Sequence, residues 1–142
     1  MSQIGRHNIP ESKTATAYNH VVFDGDYAFL AGQLAADRAD GRYTLGDIEA
    51  ETRTCMELLG AALRSIGLGF ADVVQARVFM TDLSEFERMN KVFASFFPPG
   101  QLPARTTVGV ASLLGGTKIE IDFIARMRKP EQPMDMERER RR

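Results

Sequence analysis

Two segments with helical periodicity, each lying between strand-like runs, constrain the fold of this chain more than any other feature. The first follows Asp47, whose side chain is suited to cap a helix start, and reaches Gly67, a residue suited to end one. The second follows Ser84 and Glu87, which match the Ser-x-x-Glu capping box, and stops before Pro98. We therefore predict two amphipathic helices in a chain that otherwise forms strands.

The strand-like runs fix the order of the elements. Residues 18–33, YNHVVFDGDYAFLAGQ, predict two strands joined at Asp24-Gly25-Asp26, a strong hairpin signal. Residues 35–46 are polar and predict a loop with a short strand at 42–44. Residues 73–83, VVQARVFMTDL, predict a third main strand, and 102–122 predict two more around a Gly-Gly turn. The order β-β-α-β-α-β-β indicates an α+β domain with a mixed sheet.

The two crossovers determine how the helices cover the sheet. Strand-helix-strand connections normally join parallel strands and place their helices on one face of the sheet. The other face of the sheet is then left open. An open face must be unusually polar or be covered by another subunit, so the pattern favours an oligomer.

Length and composition predict one globular domain, residues 1–127, followed by a disordered charged tail, 128–142. No apolar run reaches the 18 or so residues that a membrane span requires, and the first residues lack the apolar core of a secretory signal. Cys55 is the only cysteine and lies on the apolar stripe of the first helix, which is typical of a small core residue. We predict a cytoplasmic protein with no internal disulfide and no membrane partner.

The charge balance bears on nucleic acid. The chain has a net charge of −1, and residues 1–127 hold 12 Lys and Arg against 15 Asp and Glu. A domain without a basic surface does not attract a phosphate backbone, so nucleic acid is not the predicted partner. His7 and His20 are interpreted as surface residues of loops or strands.

Residues 102–122, LPARTTVGVASLLGGTKIEID, carry two charges that a structural hairpin does not need, Arg105 and Glu120. A two-residue turn at Gly115-Gly116 predicts a core face and a non-core face for this hairpin. The predicted core face holds Val108, Val110, Ile119, Ile121 and Phe123. The predicted non-core face holds Arg105, Thr107, Gly109, Ala111, Glu120 and Asp122.

The same register separates the two charges by roughly 20 Å along the strand at about 3.3 Å per residue. Either the register is wrong, or Arg105 and Glu120 meet only where two subunits come together. The open face favours the second alternative, with one composite site at each interface. Each charge has two interpretations. Without a functional role, Arg105 is a solubilising charge on an edge strand, and Glu120 is a surface residue on a half-buried strand. As site residues, Arg105 grips a carboxylate or phosphate and Glu120 orients a water or moves a proton.

Five segments together resemble the reactive intermediate deaminase family (Rid, YjgF-like, often labelled endoribonuclease L-PSP). The resemblance covers about residues 18–127. The segments are AGQL at 31–34, IGLGFADVVQARVFMTDLSEFERMN at 66–90, FF at 96–97, PARTTVGV at 103–110 and KIEIDFIA at 118–125. The sequence departs from the family at three positions. Ala17 precedes Tyr18 where the family often has a glycine-proline pair, Ala31 stands in place of a frequent serine, and Thr107 stands in place of a frequent cysteine.

The resemblance implies a chorismate-mutase-like α+β fold, a homotrimer with sites between subunits, and no metal or organic cofactor. It implies hydrolysis of reactive enamines and imines to 2-keto acids and ammonia. By resemblance, Arg105 holds the substrate carboxylate, Glu120 positions or activates water, and Tyr18 and Asn90 are further site residues. Gly32 allows close backbone approach to the ligand, and Thr107 contributes a backbone contact.

Two other functions stay open at this stage. A non-catalytic protein that binds a keto acid or another small carboxylate would use the same residues. Ribonuclease activity, as the older family label suggests, has less support because the domain lacks a basic aromatic surface. From the residues alone, Tyr18 is equally a half-buried strand aromatic, and Asn90 a helix-surface residue or local cap.

Overall fold

The computed structural model describes residues 3–10 and 17–128. Six strands and two α-helices are present in these ranges: β1 Gly5–His7, β2 Val21–Asp24, β3 Tyr27–Leu34, α1 Ile48–Ser65, β4 Val73–Met80, α2 Phe86–Ala94, β5 Ala104–Gly109 and β6 Ile119–Arg126. No helix in the described ranges is both long and apolar enough to cross a bilayer. The predicted tail, 128–142, lies outside them except for Arg128, and the domain boundary and cytoplasmic location stay predictions.

All six strands form one sheet in the order β1-β2-β3-β6-β4-β5. Only β4 and β5 are parallel, and the other neighbours are antiparallel. Helix α1 packs on β3 and β6 and also contacts α2, so both helices lie over one face. The predicted α+β architecture with a mixed sheet is confirmed. The edge strand β1 was not predicted, and the predicted strand at 42–44 is a single bridge between Ala36 and Tyr43.

Helix α1 begins and ends where the sequence predicts. The Asp47 carboxylate accepts a hydrogen bond from the Ala50 amide at 2.8 Å, and the chain leaves the helix through Gly67 at a φ of 77°. The predicted cap of α2 is wrong. The Asp82 carboxylate accepts the Ser84 amide at 2.9 Å and caps a 3₁₀ turn, Leu83–Glu85, which leads into α2. Helix α2 itself has Glu85 at its N-cap and no capping hydrogen bond from a side chain.

The apolar stripes of both helices form the core, as predicted. Cys55, Leu59 and Leu63 of α1 and Met89 and Phe93 of α2 are fully or almost fully buried. Burial raises the pKa of the Cys55 thiol, which keeps it protonated. Cys55 is therefore the small core residue that its position on the stripe predicts.

The predicted hairpin between the last two strands is wrong. The Gly-Gly turn exists, with φ of 68° at Gly115 and 72° at Gly116, but the strands on either side of it do not pair. Instead, β6 lies between β3 and β4, and β5 is the edge strand beside β4. Every second residue of β6, from Ile119 to Ala125, is buried. A central position removes this apolar face from water and gives the backbone hydrogen-bond partners on both sides of the strand.

This strand order corrects the predicted faces. Arg105 pairs with the buried Ala76, and Thr107 pairs with the buried Val78, so both point to the helix-covered face. Val108 lies on the open face and is 40% exposed, rather than in the core. Glu120 and Asp122 alternate with the buried Ile119, Ile121 and Phe123 and lie on the open face, as predicted.

A buried carboxylate holds β6 in its central position. Glu51, in the first turn of α1, is fully buried. One of its oxygens accepts the Lys118 amide at 2.7 Å, just before β6 begins, and the other accepts the Gly46 amide at 3.1 Å. The Lys118 ammonium lies 3.4 Å from Glu51 and donates to the Gly46 carbonyl at 2.6 Å. The start of α1, with the loop before it, is therefore joined to the residue before β6, 67 positions later in the chain, through one side chain.

Glu51→Gln should lower the free energy of unfolding by about 2 to 4 kcal/mol. The amide keeps the shape of the carboxylate but turns an NH₂ group toward one of the amide donors. Urea denaturation measures the change, with Glu57→Gln at an exposed position of α1 as the control. Equal midpoints for the two variants would show that the Glu51 contacts contribute nothing.

Candidate active site

Arg105 lines a recess under α2 at the edge of the sheet. The recess, called here the Arg105 recess, has a volume of about 280 Å³ and is lined by Asn90, Phe93, Ala94, Leu102, Pro103 and Arg105. The Arg105 guanidinium carbon lies 4.8 Å from the centre of the Phe93 ring and 5.5 Å from that of Phe86. Two aromatic faces thus hold the guanidinium in place.

The charge of Arg105 is not neutralised within the described part of the chain. No carboxylate of residues 3–10 or 17–128 forms an ion pair with it. The side chain is half-buried, and burial lowers its pKa. A half-buried guanidinium without an anion is a site where a ligand carboxylate would gain a charge-assisted, bidentate contact.

Asn90 and Thr107 lie on the same side of the sheet as Arg105. Asn90 is half-buried on α2 and lines the Arg105 recess, so its amide faces the same space as the guanidinium. Thr107 is two residues after Arg105 on β5, and its hydroxyl oxygen is buried with no partner among the described residues. Both residues therefore offer polar groups beside Arg105, while their roles stay predictions.

Tyr18 and Gly32 line a second, separate cavity of about 320 Å³, called here the Tyr18 cavity. The sequence predicts Tyr18 at the start of the first main strand, but β2 begins only at Val21. Tyr18 therefore precedes the strand, and its side chain is 46% exposed. The cavity is lined by Tyr18, Gly32, Gln33, Leu34, Ala36, Arg38, Gly41, Tyr43, Leu58 and Leu114. It shares no residue with the Arg105 recess.

Glu120 lies beside the Tyr18 cavity because its carboxylate packs against Gly32, which lines that cavity. The β3–β6 register shifts between Leu30 and Gln33, so Gly32 lies in a bulge facing the Glu120 carboxylate. A Cβ atom at position 32 would overlap a Glu120 carboxylate oxygen. The close approach predicted at Gly32 is therefore made by a side chain of this protein.

Glu120 is half-buried on the open face. Burial raises the pKa of its carboxyl, the neighbouring Asp122 raises it further, and Arg77 opposes the shift. Asp122 accepts three hydrogen bonds from Arg77, at 3.0, 3.1 and 2.6 Å, so Asp122 rather than Glu120 is the direct partner of that guanidinium. A carboxyl whose pKa lies above the ordinary glutamate value exchanges protons closer to neutral pH than a free glutamate does.

Arg105 and Glu120 cannot act on one small molecule within a single chain. Strands β5 and β6 flank β4, about 10 Å apart at ~4.8 Å per strand, and Val108 and Glu120 both pair with Phe79. Arg105 lies three residues before Val108, so the two Cα atoms are about 14 Å apart at ~3.3 Å per residue. Their side chains leave opposite faces of the sheet, a separation that the predicted hairpin missed.

Three structural features escaped the sequence prediction. Phe86 and Phe93 lie on the apolar face of α2, and their i,i+7 spacing was the available signal that both rings face one guanidinium. Arg38, in a polar loop, carries no periodic signal. His20 is buried rather than exposed, and its Nδ1 accepts the Ile9 amide at 2.8 Å. Within the described ranges, no three His, Cys, Asp or Glu side chains form a group that could hold a metal ion.

Comparison with known proteins yields a consistent set of relatives. A family model described as Endoribonuclease L-PSP matches residues 9–127. Protein DfrA of Myxococcus xanthus is 44% identical over 101 residues, which cover 71% of this chain and 76% of the relative. The 2-iminobutanoate/2-iminopropanoate deaminase of Rattus norvegicus is 33% identical over 128 residues, which cover 88% and 93%.

The structure of YyfA from Yersinia pestis, a Rid-family protein described as of unknown function, superposes with a TM-score of 0.83. It is 25% identical in sequence, and the match covers 88% of this chain and 100% of that one.

Glu120→Gln should raise the free energy of unfolding at pH 7.5 by about 1 kcal/mol or less, because the half-buried carboxylate is partly screened by water. The pKa of Glu120 is higher in the folded state, so the ionised group destabilises the fold above that pKa. The advantage of the amide should shrink as pH falls through the raised pKa and vanish below the ordinary glutamate value. Urea denaturation at pH 7.5 and pH 4 measures it, with Glu57→Gln as control. A variant less stable at pH 7.5 would contradict the burial argument.

Proposed function

Because the chain belongs to the Rid (YjgF-like) family, described by the Endoribonuclease L-PSP model, we propose that it hydrolyses 2-imino and 2-enamino acids to 2-keto acids and ammonia. Relatives named 2-iminobutanoate/2-iminopropanoate deaminase support this activity. The observation that carries it is the Arg105 guanidinium, held on two aromatic rings beside a recess and without an acid partner in the described chain. The substrate supplies the missing carboxylate.

Arg105 fixes the substrate by two parallel hydrogen bonds to its carboxylate. The Asn90 amide lines the same recess and contacts the bound substrate, and Thr107, two residues after Arg105 on β5, contributes its backbone. An enamine first shifts a proton to become the imine, whose carbon is the better electrophile. Holding the carboxylate places that carbon at a constant distance from the water that attacks it.

Glu120 handles the protons. Its carboxylate takes a proton from the attacking water as the new C–O bond forms and passes that proton to the imine nitrogen, which becomes the amine of a carbinolamine. The carboxylate next takes the proton of the carbinolamine hydroxyl as the carbonyl forms and passes it to the amine, so the C–N bond breaks and ammonia leaves with the bonding electron pair. The raised pKa of Glu120 suits both directions of transfer. Water adds to an imine without a metal or an organic cofactor. The proposed reaction is therefore independent of any cofactor, as the family resemblance implies.

The site is composite. Arg105 and Glu120 leave opposite faces of the sheet in one chain, so Arg105 of one subunit works with Glu120, Tyr18 and Gly32 of its neighbour. The predicted homotrimer would supply three such sites by closed rotational symmetry. The exposed apolar side chains of the open face, Phe29 and Val108 among them, favour coverage by neighbouring subunits.

A ribonuclease, which the family model's description names, finds no support in the histidines. His20 is buried and its Nδ1 is occupied by the Ile9 amide, so it is not placed to exchange protons with a substrate. A protein that binds small carboxylates without catalysis would use the same Arg105 recess. Binding without catalysis is distinguished from deaminase activity by whether the protein accelerates the decay of an imine.

Arg105→Gln should lower kcat/KM for imine hydrolysis by about 100-fold, because it removes the bidentate anchor and its charge. The imine is generated with an amino-acid oxidase, and its decay is followed with and without the protein. Arg53→Gln, at an exposed position of α1, is the matched control and should keep full activity. A wild-type protein that binds 2-oxobutanoate but does not speed imine decay would establish the non-catalytic alternative.

Mixed oligomers test the composite site. Arg105→Gln and Glu120→Gln are each nearly inactive alone, but refolding them together in equal amounts should restore about one quarter of wild-type activity. One site in four then combines an intact Arg105 from one subunit with an intact Glu120 from its neighbour. No recovery, with mixed oligomers verified by mass, would contradict a site shared between subunits.

A further inference from the structure

Arg38 lies in a hydrogen-bonded loop after β3. The Asp37 carbonyl accepts the Gly41 amide at 2.7 Å, and the Asp37 carboxylate accepts the Ala39 amide at 2.8 Å. The Asp40 carboxylate accepts the Arg42 amide at 2.8 Å, and Gly41 takes a φ of 74° to close the turn. These contacts close the turn on itself, and the Arg38 side chain lines the Tyr18 cavity.

Arg38 and Arg105 differ from the other arginines of the described chain. Every other arginine in residues 3–10 and 17–128 is exposed, and several pair with acids: Arg42, Arg77, Arg88 and Arg128. Arg38 and Arg105 alone are half-buried, and neither forms an ion pair within those ranges. Each lines one of the two cavities that carry the candidate site residues.

The hydrogen-bonding groups of Arg38 are only partly used. Its Nη2 donates to the Leu58 carbonyl of α1 at 2.9 Å, which anchors one end of the guanidinium. Its Nε is buried and has no partner among the described residues. A buried donor on a charged group costs stability when it lacks an acceptor, and burial lowers the pKa of Arg38. An anion in the cavity would relieve this cost.

The position of the cavity indicates which anion it takes. Arg38 shares the cavity with Tyr18 and with Gly32, which is in contact with Glu120, so it belongs to the Glu120 half of the composite site. Arg105 belongs to the other half. In the proposed composite site, a substrate held at its α-carboxylate by Arg105 would present its side chain to the half of the site that contains Glu120. The far end of that side chain would then meet Arg38.

We propose that Arg38 binds a second acidic group on the substrate, so that the protein prefers imino acids with a side-chain carboxylate over neutral ones. This inference rests on the proposed deaminase function and names the substrate class of that same site. Arg38 determines specificity by contacting the side-chain carboxylate and takes no part in the proton transfers at the imine carbon. Tyr18, beside it in the cavity, provides a hydroxyl for the same carboxylate.

The test compares imines made by oxidising aspartate or glutamate with those made from alanine or methionine. Wild-type protein should show the higher kcat/KM with the acidic imines. Arg38→Gln should lower that value by at least about tenfold and change it for neutral imines by no more than about twofold. Arg42→Gln removes the same charge from an exposed position of the same loop and should leave both values unchanged.

Equal loss on both imine classes, or no loss on either, would show that Arg38 serves only to anchor the loop to α1. A binding measurement on the wild-type protein separates this proposal from the deaminase function and from any folding defect of the variant. Calorimetry should show tighter binding of 2-oxopentanedioate than of 2-oxobutanoate. Equal affinities would overturn the role of Arg38 even if imines are hydrolysed. If no imine is hydrolysed but the dicarboxylate binds more tightly, the deaminase proposal fails and the Arg38 site stands.

Discussion

The carboxylate of Glu51 joins the first turn of α1 to the residue that precedes β6, and the arrangement of the whole sheet depends on that junction. It fixes where β6 enters the sheet, between two strands that are far from it in sequence. A buried charge is tolerated there because two backbone amides and an ammonium surround it. Moving β6 elsewhere would take the Lys118 amide and ammonium away from the buried Glu51 carboxylate and would expose the apolar face of the strand.

The central position of β6 also divides the candidate site. It sends Glu120 to the open face, while β5, displaced to the edge, turns Arg105 toward the helices. The two groups that the proposed chemistry needs therefore leave opposite faces of one sheet. The fold separates an anion-binding half, built on α2 and β5, from a proton-transfer half, built on β3 and β6. A second subunit is the simplest way to bring such halves together.

Both halves contain polar groups that the fold does not satisfy. Arg105 and Arg38 are half-buried without acid partners in the described chain, and the hydroxyl of Thr107 and the Nε of Arg38 are buried without acceptors. Burial also raises the pKa of Glu120. Each of these features lowers stability, and natural proteins concentrate such costs where a ligand offsets them. The presence of an unpartnered arginine in each half is the basis for inferring two acidic groups on the substrate.

The sequence by itself determined the features that depend on neighbouring residues. Periodicity located both helices, Asp47 and Gly67 bounded the first, and the β2–β3 hairpin and the Gly-Gly turn formed as their local signals predicted. Motifs also identified Arg105 and Glu120 as candidates. Only the tertiary structure decided the order of the strands, and hence the faces on which these two side chains lie. A tight turn reverses the chain but does not choose its partner, because strand order is set by long-range burial of β6 and by the Glu51 contacts. Arg38 was invisible for the same reason, since its neighbours Tyr18 and Leu58 are brought to it only by the folded chain.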